Sequence, residues 1–532
     1  MNLRFVVAQW ARLSLLIGSL LTLIALIFVI VPGQGGVVMD AAEISMLFSG
    51  GLALLIGGLC WAWCRDASIE TAPSLDPAQP AITRAYRMTR RDAALVTTGA
   101  WVIGAGIAGL PFLIWGRFSG AAPMSHPFHS VVDCYFEAMS GLTTTGASIL
   151  TNIEAIPPSL LMWRSLTQWL GGLGILVLFV AVLPSLGTAA KKLFRIEAPG
   201  PDPEGIRPTI KQTARRLWML YLSLTTAQIL LLLITGMGLF DATNHALTTM
   251  ATGGFSTRNA SIARPESFGA ELVLMLFMVL AGSNFTVLLA MLKGRWKAAL
   301  GNTEFRVYLC CLLGGAVIVT AALMGAEQPL VLTDGNTETL TTGSAARAAS
   351  FTVISQQTTT GFATANFDLW PFAAKAIVIA LMFVGGSAGS TAGGVKIIRV
   401  WIAIRVLIAE LERFFRPDVV RPLKVNGAVI DQEQKLNVMT YLLGTVALLF
   451  LGAVVIQALE ADRSSCDFVT SITASLATIC TVGPGLNQVG AISNYGWFSD
   501  ASKLVLCLLM LIGRLEVFVI LVLLSPRFWR SH

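Results

Sequence analysis

A short polar string built from threonine and glycine occurs four times among long apolar runs. The copies are Thr143-Thr144-Thr145-Gly146-Ala147-Ser148, Thr252-Gly253-Gly254-Phe255-Ser256-Thr257, Thr358-Thr359-Thr360-Gly361-Phe362-Ala363-Thr364 and Thr481-Val482-Gly483-Pro484-Gly485. Aligned on Gly146, Gly254, Gly361 and Gly483, they lie 108, 107 and 122 residues apart. One such string in an apolar protein marks a helix kink or a packing point. Four at a near-constant period mark one architectural unit used four times, so function is to be sought where the four units converge.

Hydrophobic residues make up 55% of the 532, charged residues only 13%, and mean hydropathy is +0.72. These values place the chain among polytopic membrane proteins. Leu13 to Val31 and Ile44 to Cys64 carry no charge and are each long enough to cross about 30 Å of hydrocarbon, with the first remaining as a span and no cleavable signal peptide needed. A polar linker follows from Arg65 to Arg91 and includes Arg84, Arg87 and Arg90.

Each later unit reads as a long apolar helix, a half-length helix, the Thr-Gly string and a second long helix. In the first these are Ala93 to Trp115, Pro127 to Gly141, Gly146, and Ser165 to Leu186; in the second, Leu217 to Phe240, a segment from Ala242, Gly254, and Leu272 to Leu292. The third has Val307 to Gly325, Ala345 to Gln356, Gly361 and a run from Ala376. The fourth has Leu436 to Leu459, Asp467 to Ala477, Gly483, and Leu504 to Leu524. Apolar helices of this half length are too short to span and read as re-entrant, giving about ten full spans and four half-helices. The expected fold is all-α: two leading helices, then four pseudo-symmetric helix–pore-loop–helix repeats around a central ion pore. The boundaries fall at 1–92 for the helix pair and linker, then 93–214, 215–303, 304–430 and 431–532 for the repeats.

With the amino terminus inside, most of the 37 Lys and Arg residues fall in cytoplasmic segments, as the positive-inside rule requires, and both termini are cytoplasmic. Acidic residues favour the outer segments, whose negative field concentrates cations. The net charge of +7 is scattered between spans instead of forming a nucleic-acid patch. The eight cysteines show no metal spacing: Cys60 and Cys64 are separated by three residues, Cys310 and Cys311 adjacent. They read as reduced packing thiols.

A backbone loop at membrane depth is tolerated only where protein buries it or it lines a watery path. Four such loops on one axis aim carbonyl oxygens at a common centre, where a carbonyl ring replaces the water shell of a dehydrated cation. Glycine suits the narrow point because it lacks Cβ and adopts positive φ cheaply. Thr144, Thr145, Thr359 and Thr360 add hydroxyl acceptors behind it, and each half-helix directs its negative carboxyl end at the axis. His126 and His129 lack a third ligand and read as loop residues. Asp133 and Glu137 lack a nucleophile and read as half-helix or vestibule charges; Asp241 reads as an N-cap. An organic-solute carrier would use fewer, inverted repeats. No Ser/His/Asp cluster, acidic dyad or nucleotide-binding fingerprint accompanies the spans, so an enzyme is not expected.

The four strings, with Gln168-Trp169-Leu170-Gly171-Gly172 and the stretch Gly385-Gly386-Ser387-Ala388-Gly389-Ser390-Thr391-Ala392-Gly393-Gly394, resemble the Trk/Ktr/HKT superfamily of potassium transporters. Agreement in order and spacing along nearly the whole chain, plus the leading helix pair, favours the bacterial TrkH/TrkG branch. The resemblance implies a potassium selectivity filter at Gly146, Gly254, Gly361 and Gly483. The filter set extends to Thr144, Thr145, Gly253, Thr360, Phe362 and Val482, with the ion held at Thr145, Gly146, Gly254, Thr360, Gly361, Val482 and Gly483. All four filter positions are glycine here, unlike plant relatives with serine in the first loop, which implies potassium with rubidium accepted.

Glycine and serine between Gly385 and Gly394 break an apolar run, as in helices that line ion paths. The resemblance makes this stretch an intramembrane gate involving Gly385, Gly386, Ser387, Gly389, Gly393 and Gly394. Relatives often carry cysteine at Ser387 and glycine at Ala392. Arg514 sits within an apolar run, where a charge costs about 2.5 to 3.5 kcal/mol, so it faces the pore or an acidic partner; the resemblance places it below the filter as an electrostatic barrier. Lys396 and Arg399 are expected to snorkel to the cytoplasmic interface. Potassium is then the substrate, with no covalently bound cofactor. The resemblance further implies a homodimer in a bacterial inner membrane, docked through basic cytoplasmic loops on a TrkA-type cytosolic nucleotide-binding regulatory subunit. A sodium-permeable or ion-coupled symporter of the same superfamily is the alternative.

Overall fold

The computed structural model describes residues 2–30, 40–64, 69–72, 82–85, 89–118, 120, 126–181, 210–262, 268–326, 328–416, 422–463 and 466–530. Much of the linker from Arg65 to Arg91 and the end of the expected helix from Ser165 to Leu186 lie outside them. Among the described residues, strands form only three short antiparallel hairpins; the rest of the regular structure is helical, as expected for a multi-pass membrane protein. Six helices among the described residues are long and apolar enough to cross a membrane, or seven if one bent pair is counted as a single span.

The chain forms two compact units. The first comprises 1–139, 157–163 and 518–532. Its leading helices, Leu3–Ile30 and Ala41–Cys64, pack through small residues. A Cβ on Gly50 would lie 3.0 Å from Gly18 O, one on Gly57 would lie 3.0 Å from Ala11 O, and Ser14 Oγ donates to Ala53 O at 2.7 Å. Between helices in lipid, where hydrophobicity drives no association, such close backbone approach supplies the contact energy. Outward-facing Leu16, Leu23, Leu52, Leu55 and Leu59 are exposed, which suits a hydrocarbon surround and not water. Helix Arg90–Phe118 joins the pair beneath Trp10, whose Nε1 donates to Val96 O at 3.1 Å.

The second unit, 140–156 with 164–517, holds all four Thr-Gly strings. Its outer helices, Ile210–Ile234, Thr303–Ala326 and Gln432–Leu459, precede half-helices Leu239–Met250, Thr342–Gln357 and Phe468–Ile479. The first half-helix is Val131–Leu142. Side-chain caps start three of them: Ser130 Oγ accepts from Asp133 N at 3.3 Å, Thr341 and Ser344 form a capping box, and Asp467 accepts from Thr470 N at 2.8 Å. The second begins differently from expectation. Its N-cap is Gly238, and Asp241 lies within the first turn, where its carboxylate holds Thr257 Oγ1 at 2.7 Å and Arg258 Nη2 at 3.2 Å.

The closing helices of repeats two to four are broken, although the sequence reads two of them as continuous. Phe268–Ala281 and Phe285–Leu292 meet at 108°, and Asn284 caps the second segment by accepting from Thr286 N at 2.9 Å. Phe372–Phe383 and Ile397–Phe415 flank the glycine-rich stretch. Asp500–Arg514 and Phe518–Leu524 are separated by a turn in which Glu516 has φ of 55°. Two of the about ten spans expected from hydropathy are therefore interrupted, and freed backbone groups at the breaks find protein partners that a sequence pattern does not reveal.

Candidate functional site: a ring of four loops

Each half-helix ends in the same turn. Thr144, Thr252, Thr359 and Thr481 adopt φ of 54°, 53°, 55° and 50°. Beyond them, the N–H groups of Thr145, Gly253, Thr360 and Val482 reach back to Ser140 O, Thr248 O, Ser355 O and Ala477 O at 2.8–2.9 Å. This is the helix-ending motif usually built on a left-handed glycine. Threonine there costs about 1–3 kcal/mol per residue. Strain repeated four times on a β-branched residue points to a requirement for the side chain.

Gly146, Gly254, Gly361 and Gly483 also have positive φ, from 74° to 100°. A Cβ on Gly146 would fall 2.1 Å from Gly253 O; on Gly254, 1.9 Å from Thr360 O; on Gly361, 2.1 Å from Val482 O; and on Gly483, 2.7 Å from Thr145 O. Each glycine thus abuts the carbonyl preceding the next glycine, and the fourth contact returns to the first. The four loops close into a ring whose inner wall is backbone, and glycine is required because any Cβ would strike a neighbouring carbonyl oxygen.

Behind the ring, hydroxyl pairs stiffen two loops: Thr143 Oγ1 with Thr145 Oγ1, and Thr358 Oγ1 with Thr360 Oγ1, each at 2.8 Å. Phe362 is turned away: its carbonyl accepts from Ser355 Oγ at 2.7 Å, and its fully buried ring packs with Ala246, Met278 and Phe351. Gly253 differs from Thr145, Thr360 and Val482 in lacking a side chain, and Gln168 Nε2 donates to its carbonyl at 2.6 Å. An open cavity is lined by the four glycines together with Ser148, Arg258 and Tyr495; Tyr495 OH donates to Gly483 O at 2.7 Å.

The stretch from Gly385 to Gly394 meets the residues that precede the ring glycines. Its neck is closed by Gly385 N to Val395 O at 3.0 Å and Ile397 N to Gly386 O at 3.1 Å. Ser387 N donates to Gly282 O at 2.9 Å, and Ala388 N to Glu304 Oε1 at 2.6 Å. Thr391 Oγ1 lies 3.0 Å from Met250 O and 3.1 Å from Ala281 O. Gly389 and Gly394 supply left-handed turns. At Gly393 a Cβ would lie 1.8 Å from Thr481 Oγ1, so this loop is seated directly against the threonines of the ring.

Two buried cations face the loop's carbonyls. Arg514 donates from Nη1 to Thr391 O at 3.0 Å and from Nη2 to Gly171 O at 2.9 Å. Lys396 Nζ donates to Ala392 O, and Arg399 Nη2 pairs with Glu516 at 2.8 Å while its guanidinium lies over the Tyr441 ring at 4.3 Å. Lys396 and Arg399 are both 3% exposed, so they do not snorkel to an interface as expected. Carbonyl and carboxylate acceptors offset the cost of that burial.

Sequence reading did not single out Gln168, Thr252, Thr481 or Glu304 as site residues. Thr252 and Thr481 had a signal, since aligning the four strings on their glycines brings them into register with Thr144 and Thr359; Gln168 and Glu304 had none of that kind. A ring of backbone oxygens without formal charge suits a hard monovalent cation stripped of water.

The family model described as TrkH, cation transport protein, matches residues 115–531. The chain belongs to that family. Among its relatives, the Trk system potassium uptake protein TrkH of Salmonella typhimurium is 34% identical over 443 residues, 83% of this chain and 86% of that one. The protein of the same name from Vibrio parahaemolyticus is 32% identical over 500 residues, covering 92% and 93%. The crystal structure of the potassium transporter TrkH from Vibrio parahaemolyticus superposes with a TM-score of 0.81 at 29% identity and covers both chains fully. This family member therefore shares with a solved transporter the whole of its fold, including the leading helix pair that the family model omits.

Proposed function

We propose that this protein takes up potassium across a bacterial inner membrane through the four-loop ring, with both termini cytoplasmic. The observation that carries the reading is cyclic closure: each ring glycine abuts the carbonyl of the next loop, and the fourth returns to the first. Carbonyl oxygens at Thr145, Gly253, Thr360 and Val482 replace the ion's water, while the glycines keep the opening free of side chains. Potassium is substrate, not a resident cofactor, and the four repeats at 93–214, 215–303, 304–430 and 431–532 each contribute one quarter of the site.

The loop from Gly385 to Gly394 is the gate in this reading. It stands against the ring's threonines, and Arg514 adds positive charge beside it, so a cation leaving the ring meets both a steric and an electrostatic obstacle. Opening requires withdrawal of this loop, driven by a TrkA-type cytosolic regulatory subunit bound to a homodimer. The relatives' names as Trk system proteins support such an assembly. The basic stretch 187–209, which carries part of the proposed docking charge, lies outside the described residues.

Flux into liposomes tests the proposal. Wild-type protein is expected to pass potassium and rubidium and to exclude sodium and lithium, and Gly361→Ser to relax that selectivity. Equal sodium and potassium flux that Gly361→Ser leaves unchanged would overturn the filter assignment.

A further inference from the structure

The closing helices of the four repeats align on a shared pattern: Gln168-Trp169-Leu170-Gly171-Gly172, Met278-Val279-Leu280-Ala281-Gly282, Met382-Phe383-Val384-Gly385-Gly386 and Met510-Leu511-Ile512-Gly513-Arg514. For the first and fourth repeats the register is structural as well. A Cβ on Gly171 would lie 1.9 Å from Leu142 O, and one on Gly513 would lie 1.9 Å from Ile479 O, in each case the last residue of a half-helix. Gln168, Met278, Met382 and Met510 are all fully buried. Three repeats thus place a methionine at this position and one places an amide.

The exception coincides with another. The ring residue before the glycine is Thr145, Thr360 or Val482 in three loops, all β-branched, and Gly253 in the second. A Cβ on Gly253 would lie 2.4 Å from Gln168 Cδ, so the amide occupies the space that a side chain fills in the other loops. It bonds on both sides of Gly254. Gln168 Nε2 donates to Gly253 O at 2.6 Å, and Phe255 N donates to Gln168 Oε1 at 3.1 Å. One amide orientation satisfies both bonds, and both belong to the backbone that forms the ring.

We infer that Gln168 is a positioning residue for ion selection, holding the second loop's carbonyl in the ring where the other three loops are held by their own β-branched side chains. The two solutions are exchangeable units: methionine with a β-branched ring residue, or glutamine with glycine. The N–H of Gly253 is fixed on Thr248 O, but glycine leaves the carbonyl side of the residue freer to turn than a β-branched residue does, so without the amide the carbonyl would be less firmly held in the ring. The inference rests on the filter reading above.

The experiment is a double-mutant cycle on full-length protein in liposomes, reading the potassium-to-sodium flux ratio and thermal stability together, with Gly361→Ser as a control in another loop. Gln168→Met leaves Gly253 unsupported, and its flux ratio is expected to fall roughly tenfold, the size of one lost hydrogen bond to the ring. Gly253→Thr alone collides with Gln168 and is expected to do at least as much damage. Gln168→Met with Gly253→Thr rebuilds the pattern of the third repeat and is expected to recover the ratio. If Gln168→Met is not recovered folded, the double variant decides alone: folded and selective supports the inference, folded and unselective overturns it. An unchanged ratio in Gln168→Met while Gly361→Ser is unselective overturns the role of Gln168 and leaves the filter standing. An unchanged ratio in both variants removes the filter reading and this inference with it.

Discussion

The backbone N–H of Gly393 donates to Thr359 Oγ1 at 2.7 Å, joining the glycine-rich loop to a left-handed threonine of the ring. Thr359→Val keeps the β-branch and therefore the backbone strain, but removes the acceptor. A buried N–H left without its partner costs about 1–3 kcal/mol, and that cost falls on the seated state of the loop. Rubidium leak into liposomes without a regulatory subunit is therefore expected to rise about fivefold or more, with unchanged preference over sodium. Leak equal to wild type would show that this contact does not hold the loop closed.

Arg514 spans Thr391 O and Gly171 O with two nitrogens of one guanidinium. Lysine has a single ammonium and cannot reproduce a fork. Arg514→Ala and Arg514→Lys are both expected to raise leak flux several-fold, with lysine the milder because it retains the charge. A lysine variant indistinguishable from wild type would mean that charge alone sets the barrier and that the two-pronged contact is incidental.

Substitution of glycine by alanine separates ring positions from the rest. At Gly254 the new Cβ would lie 1.9 Å from Thr360 O, a backbone atom with no room to retreat. Gly254→Ala is expected to abolish selective flux and to lower stability by about 2 kcal/mol or more. A Cβ on Gly314, inside helix Thr303–Ala326, would meet no atom within 4 Å. There alanine should leave flux untouched and raise stability by about 0.5–1 kcal/mol through helix propensity. Melting curves beside flux assays check both outcomes.

The helices, their half-length partners and the fourfold string were legible because hydrophobic length and a repeated kernel are properties of the chain alone. The breaks at 282–284 and 515–517 were not. Each lies in a long, predominantly apolar run whose few polar residues, Ser283 and Asn284 or Arg514 and Glu516, do not by themselves mark a break, and the cause of the first is a partner far along the chain: Ser387 N bonds Gly282 O, and Thr391 N bonds Ala281 O. The same distance in sequence hid the burial of Arg399, whose partner Glu516 follows 117 residues later, and of Ala388, whose N–H is taken by Glu304. Asp241 misled because an acidic residue near a helix start suits both a cap and a first-turn position; its neighbours Thr257 and Arg258 decided the matter. Ring glycines were legible, while the residues that aim their carbonyls depend on packing.

Asp368 offers a pH test outside the spans. It lies in the connection between the third Thr-Gly string and helix Phe372–Phe383, and its Oδ1 accepts from Asn487 N at 2.8 Å. Burial pushes its carboxyl up from 3.8 to about 6, against the opposing pull of that hydrogen bond and of Lys375. A folded-state value above the unfolded one means that the folded protein binds the proton more tightly, so stability declines as pH rises from about 4 to about 6 and stays lower above that window. Asp368→Asn keeps an acceptor for Asn487 and carries no charge to desolvate. It is expected to melt higher than wild type at pH 7, by about 1 kcal/mol once the group's partial exposure is allowed for, and level with it at pH 4. A gain of equal size at both values would assign the effect to packing instead of ionisation.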